Sequence, residues 1–367
     1  MKYYGLKDEL REIAESCEYD KNIMWSYYNN FYVKHPTLTR KTYGTYISDI
    51  LGRAREGYTS EKSADVGVSI GETENVAQKG TEGLRKPIGG DVSIPEIEWK
   101  EKSENFTRVL LISDLHAGHI FGLTPPSWWQ NLDNEIYGNA AKVQREMWRF
   151  FTETIKNIND EHQIDKAICV GDMIDGSQSK TSGSEAICSD VYEQVLMAKE
   201  SLEVIGAKDH IFCYGSNYHS NGGGHVDAEK ILADAFDAKI AAEVKVRING
   251  KIFRAKHHIG NSSVPYTKMT QIMKAKMMDI MRSAKDGSEI ASVEVRAHVH
   301  TYNMYSDGKF TGIVLPCFQS SSKFGSRYFD GSTDLGFVIV DVFDSGEIEV
   351  RPFLASLKSS KTKIIDF

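Results

Sequence analysis

Between residues 1 and 57 the apolar positions recur with a helical period. Leu6 to Cys17 and Asn22 to Val33 predict two helices, and Pro36-Thr37-Leu38-Thr39 supplies a turn whose threonines can cap a third, running to about Arg55. In that third helix Tyr43, Tyr46, Ile47, Ile50 and Leu51 stand at i, i+3, i+4, i+7 and i+8, the spacing of one packed face. From residue 58 to 104 the period disappears into Ser, Gly, Glu, Lys and Thr, with a turn signal at Lys86-Pro87-Ile88-Gly89-Gly90, so this stretch reads as a linker or loosely ordered arm. From 105 to 367 the pattern changes to short apolar runs alternating with amphipathic stretches. Val109 to Ser113, Ala167 to Val170, Ile211 to Tyr214, the run beginning at Ile252, and Val293 to Ala297 predict strands covered on both faces. Ala140 to Asn159, Ser189 to Ile205 and Asp227 to Phe236 predict helices between them, and Gly336 to Phe343 and Glu347 to Pro352 predict two closing strands that finish a second sheet.

Composition narrows the class. With 367 residues, 41% hydrophobic and 26% charged, the chain has room for one large globular domain and a small one. A net charge of -7 argues against coating nucleic acid wholesale but leaves room for a local basic face. That face is on the N-terminal unit, where Lys34, Arg40, Lys41, Arg53 and Arg55 surround the single acid Asp49. The unit is read either as a helix-turn-helix that sets a basic helix on nucleic acid, or as a packing or oligomerisation module. Five scattered cysteines suit reduced thiols in a cytoplasm, and the absence of a long apolar segment or an apolar leader predicts neither membrane insertion nor secretion.

The chemistry lies where the apolar runs end. Val109 to Ser113 opens into Asp114 and His116, which in extended backbone would share one side. Later runs open into Asp172 and Asp175, Asn217 and His219, His257 and His258, and His298 and His300. Oxygen and nitrogen donors together suit a first-row metal, and any one such pair would be an ordinary surface turn. Trp128 and Trp129 either stack on a base at the rim or pack their loop, and the polar loop around Lys180 either contacts substrate or is a solvated connection.

The ordered blocks SDLHAG, GDMIDG, GSNYH, HHIG and AHVH resemble the calcineurin-like metallophosphoesterase superfamily over about the C-terminal two-thirds of the chain. Two departures are visible: Tyr218 separates Asn217 from His219, and Ala297 replaces a glycine. The resemblance implies a four-layer αββα sandwich preceded by the small helical module. It also implies two divalent metal ions, Mn first, with Fe or Zn as alternatives. Asp114, His116 and His300 would hold one and Asn217, His257 and His298 the other, with Asp172 between them. His258 remains the alternative to His257, which is favoured as the residue that ends its strand. A bridging hydroxide would attack phosphorus, with His219 as general acid and Asp175 orienting a ligand.

Three functional classes follow. The first is a phosphodiesterase directed at DNA, the favoured reading, with nucleic acid as partner. The second is a phosphatase or cyclic-nucleotide phosphodiesterase acting on a small molecule or phosphoprotein. Gly176 and Tyr214 stand where the protein-phosphatase branch carries arginines, which lowers that variant. The third, a scaffold with a degenerate site, fits poorly with the full set of donors.

Overall fold

The computed structural model describes residues 104–131, 140–178, 183–220, 226–260, 267, 269–320 and 333–355. The expected helical unit 1–57, the arm 58–103 and Lys180 lie outside these residues.

Two mixed sheets face each other. Six strands form the first, β1 (Phe106–Ile112), β2 (Lys166–Val170), β3 (Asp209–Cys213), β4 (Lys239–Ala241), β10 (Leu335–Phe343) and β11 (Ile348–Ala355), in the order β11-β10-β1-β2-β3-β4. The second is β5-β6-β7-β9-β8, built from β5 (Val244–Ile248), β6 (Lys251–Ala255), β7 (Val293–Arg296), β8 (Asn303–Ser306) and β9 (Thr311–Val314). The pairs β1/β2, β2/β3 and β6/β7 are parallel, so within each sheet these strands end along one edge.

The period of two along each strand decides which layer it holds together. In β1, Leu110 and Ile112 join a core shared with the helices α1 (Ala140–Glu161), α2 (Val191–Glu203) and α4 (Ala228–Asp234), while Val109 and Leu111 face the second sheet. Ala167 and Cys169 of β2 likewise face the helices, and Ile168 and Val170 meet Phe253, Val293 and Val295 between the sheets. On the outer face of the second sheet lies α5 (Thr270–Asp286), over a small core of Ile259, Ile272, Phe310 and Val314. The layers are therefore helix, sheet, sheet, helix, the αββα sandwich expected.

The three helices predicted within the described residues are recovered to within a few residues. Two begin at side-chain caps, Asp190 accepting from Tyr192 N at 2.9 Å and Asp227 accepting from Lys230 N at 2.9 Å. One expectation is corrected. The two closing strands do not finish the second sheet: β10 pairs antiparallel with β1 in the middle of the first, and β11 with β10. The apolar period of β10 fits that place, since Phe337 and Ile339 meet the helices and Val338, Val340 and Val342 meet the second sheet. The four described cysteines, Cys169, Cys188, Cys213 and Cys317, are free thiols. Among the described residues no helix is long and apolar enough to cross a membrane.

Candidate metal centre

The chain leaves β1, β2 and β7 in left-handed turns. Asp114, His116, Asp172, His298 and His300 all have positive φ, between 47° and 79°. Asp and His tolerate this region better than most side chains, yet each such residue still costs on the order of 1–3 kcal/mol and persists only where its surroundings hold it. Backbone bonds do fix it. Asp114 N donates to Gly171 O (3.0 Å), His116 N to Asp172 O (3.1 Å), Phe318 N to Asp114 O (2.9 Å) and Asp334 N to His300 O (2.9 Å). Asp114 and His116 thus do converge, but through left-handed turns, not through the extended alternation expected from the sequence.

Two groups of donors result, and in each the ligand atoms lie within 4.8 Å of one another. Asp114, His116 and His300 form the first and Asp172, His257 and His298 the second. The groups adjoin: His257 Nε2 is 2.9 Å from Asp172 Oδ2 and 3.9 Å from Asp114 Oδ1. A third set, His116, Asp175 and His219, shares His116 with the first.

The imidazoles are aimed by what holds their other nitrogen. His257 Nδ1 donates to Val170 O at 2.7 Å, which turns the buried Nε2 toward the carboxylates, 2.9 Å from Asp172 Oδ2. His116 Nδ1 lies 3.1 Å from Asp175 Oδ1, and its Nε2 faces His300 Nε2 at 3.3 Å. His298 Nδ1 meets Ser216 Oγ at 3.3 Å, and His300 Nε2 is 3.1 Å from Asp114 Oδ1. An imidazole anchored at one nitrogen by a carboxylate or carbonyl, with the other free to ligate, is the arrangement that metal sites use.

Electrostatics asks for positive charge here. Burial opposes ionisation of Asp114, but the His257 and His300 charges outweigh it and hold the carboxyl well below its usual range. Asp172 is lowered in the same way, burial being outweighed first by His257. Burial would also lower His116 and His257, yet carboxylates push both up to about 9, chiefly Asp114 and Asp175 for His116 and Asp172 and Asp114 for His257. Without a cation the acids are balanced by protons on imidazole. A divalent cation would supply that charge and leave the rings neutral as ligands, so the donor set fits one.

The remaining predicted residues fall as follows. His219, at the third position of the short helix α3 (Asn217–Ser220), donates Nδ1–H to Asp175 O at 2.7 Å and stands edge-on to the His116 ring at 4.4 Å between centroids. Burial, then the His116 charge, lowers it to about 4. Asp175 is buried, accepts from Gln178 and is lowered to about 2, burial being outweighed by His119 and His116. His257 is buried at the site, whereas His258 is exposed, with its ring 4.8 Å from that of His298. Asn217 is exposed, and the residue that reaches Asp172 is its neighbour Ser216, through N (2.5 Å) and Oγ (3.1 Å). Trp128 packs against the helix-side core, and Trp129 Nε1 donates to Thr124 O at 3.0 Å.

Sequence reading missed Ser216, although it lies inside the GSNYH block, and Glu229, a fully buried acid on the apolar face of α4 beside Leu232 and Ala233. An acid on an apolar stripe is the signal that marked it. Gln194 was missed as well; from α2 it bonds both Gly176 N (2.7 Å) and Gly176 O (3.0 Å) behind Asp175.

No protein-family model matches the chain, and no curated protein matches it. Among solved structures, an archaeal phosphodiesterase is 13% identical over 67% of this chain and all of its own, with a TM-score of 0.33. Vps29 of Entamoeba histolytica, complexed with zinc, is 10% identical over 68% of this chain and 99% of its own, with a TM-score of 0.34. A conserved protein of Streptococcus pneumoniae is 9% identical over 69% and 99%, with a TM-score of 0.28. These are partial likenesses at low identity, and the architecture rests on the strand order and layered cores described above.

Proposed function

We propose that the chain is a phosphodiesterase that depends on two divalent metal ions and acts on nucleic acid, DNA first. The observation that supports this reading is the pairing of two adjoining donor groups, each with one carboxylate and two imidazoles, along the ends of β1, β2, β6 and β7. Asp114, His116 and His300 would hold one cation, and His257 and His298 the other, with Asp172 between them. Bound there, Mn, or alternatively Fe or Zn, supplies Lewis acidity toward a phosphoryl oxygen and lowers the pKa of water.

The chain's own groups then divide the work. Asp175 fixes the tautomer and direction of His116 through Nδ1. His219, committed at Nδ1 to the Asp175 carbonyl, has Nε2 left to give a proton to the departing oxygen. An anionic ester beside it would draw its lowered pKa back up. Asn217, exposed beside the site, joins the second cation only by turning inward, and Ser216 already holds the place next to Asp172.

Hydrolysis by the Mn-loaded protein of single-stranded DNA, duplex DNA, a cyclic nucleotide and a chromogenic phosphomonoester tests this reading. Cleavage of DNA ahead of the rest supports it, and preference for the monoester or cyclic nucleotide selects the small-substrate alternative. Deleting residues 1–57 sharpens the choice. If Lys34, Arg40, Lys41, Arg53 and Arg55 bring DNA to the site, the deletion flattens the salt dependence of DNA binding and leaves a small diester nearly untouched.

A further inference from the structure

We infer that Glu229 is a positioning residue that locks the loop after β2 to the loop after β3 and so shapes the Asp172, His257, His298 group for its cation; this rests on the two-cation reading above. Glu229 is fully buried at the second residue of α4. Its Oε1 accepts from Met173 N at 3.2 Å and its Oε2 from Gly215 N at 2.7 Å. Met173 directly follows Asp172, and Gly215 directly precedes Ser216, which itself donates twice to Asp172. One carboxylate thus ties the two stretches of backbone that between them place the Asp172 side chain.

The loops are in contact where it holds them. A Cβ on Gly171 would lie 2.5 Å from Gly215 Cα, and one on Gly215 would lie 2.1 Å from Asp172 Oδ1. Neither position can carry a side chain, so backbone lies against backbone there, and the carboxylate behind them holds the two loops together alongside the Ser216 bonds to Asp172. The Met173 and Gly215 amides both donate to it, which calls for acceptors at both oxygens, as a carboxylate offers. Helix capping is not its task, because Asp227 already caps α4 through Lys230 N. Glutamine at 229 would keep the volume and one acceptor but turn a second donor on the other amide.

The test is calorimetric titration of the chelator-stripped full-length chain with Mn²⁺, on wild type, Glu229→Gln and Glu229→Asp. Thermal unfolding of each stripped protein serves as the folding control. Wild type is expected to take two cations. Glu229→Gln should lose about 10–100-fold in affinity for one of them, the range typical of groups that orient metal ligands, and leave the other nearly unchanged. Glu229→Asp, which keeps the charge but is one methylene short, should fall between. If Glu229→Gln binds both cations as wild type does, or if both affinities drop together with the unfolding temperature, the positioning role is overturned while the two-cation reading stands. Fewer than two cations on wild type overturns both.

Discussion

The two donor groups are built from the same residue types but are held differently. In the first, His116 is aimed by a carboxylate, Asp175, and the strained turns at Asp114 and His300 are pinned by the amides of Phe318 and Asp334. In the second, His257 is aimed by a backbone carbonyl, that of Val170, and His298 by a hydroxyl, that of Ser216. A carboxylate partner raises the basicity of an imidazole ligand more than a neutral acceptor does. The first group should therefore bind its cation more tightly, and the second should be the one that exchanges.

The largest effect is expected where the groups meet. Asp172→Asn removes the charge between them and should abolish hydrolysis while the domain remains folded, as circular dichroism and Mn-dependent diester cleavage would check. Asp172 lies past the end of β2 and not within a strand, so the sandwich does not depend on it. Full activity with two bound cations in this variant would break the comparison at its root.

Next comes His219, which belongs to neither of the two donor groups but stands against the His116 ring of the first. His219→Ala should keep both cations but lose about 10²–10⁴-fold in turnover of esters with poor leaving groups, and much less with nitrophenolate, which departs without protonation. Equal losses on both substrates would remove it from proton transfer.

Two milder changes compare the halves. Asp175→Asn should weaken the first cation by about 10–100-fold and spare the second, by competition with a fluorescent chelator. Ser216→Ala should weaken the second cation by less, because the Oγ contact with His298 is neutral and, of the two bonds to Asp172, the shorter one from the Ser216 amide remains. If the serine change outweighs the aspartate change, the order of affinities is reversed.

Much of this site was legible because its signal is local. An apolar run followed within a few residues by Asp or His marks a strand end, and β1, β2, β6 and β7 each carry one. His257 is buried against Asp172 and His258 lies outside, although β6 stops at Ala255 and His257 therefore does not end the strand as expected. What the sequence hid depends on contacts between distant segments. Helix α5 shows no inward apolar stripe, since of its 17 residues only Ile272 and Asp279 are buried. The sheet beneath it explains this. Its outer face carries Arg254, paired with Glu243 at 2.8 Å, and Arg296, paired with Glu294 at 2.5 Å, where a covered strand would ordinarily present apolar residues. The left-handed turns at the strand ends were equally hidden, because Asp and His give no glycine-like warning of positive φ. Glu229 and Ser216 acquire their meaning only when β2 and β3 lie side by side.

The most direct test of a two-cation phosphodiesterase is to strip the full-length protein with a chelator and add Mn²⁺ back in steps, following hydrolysis of a chromogenic phosphodiester. The reading predicts no turnover in the stripped protein and a rise that saturates at two cations per chain. Turnover that survives stripping, or none at saturating Mn²⁺, would contradict it.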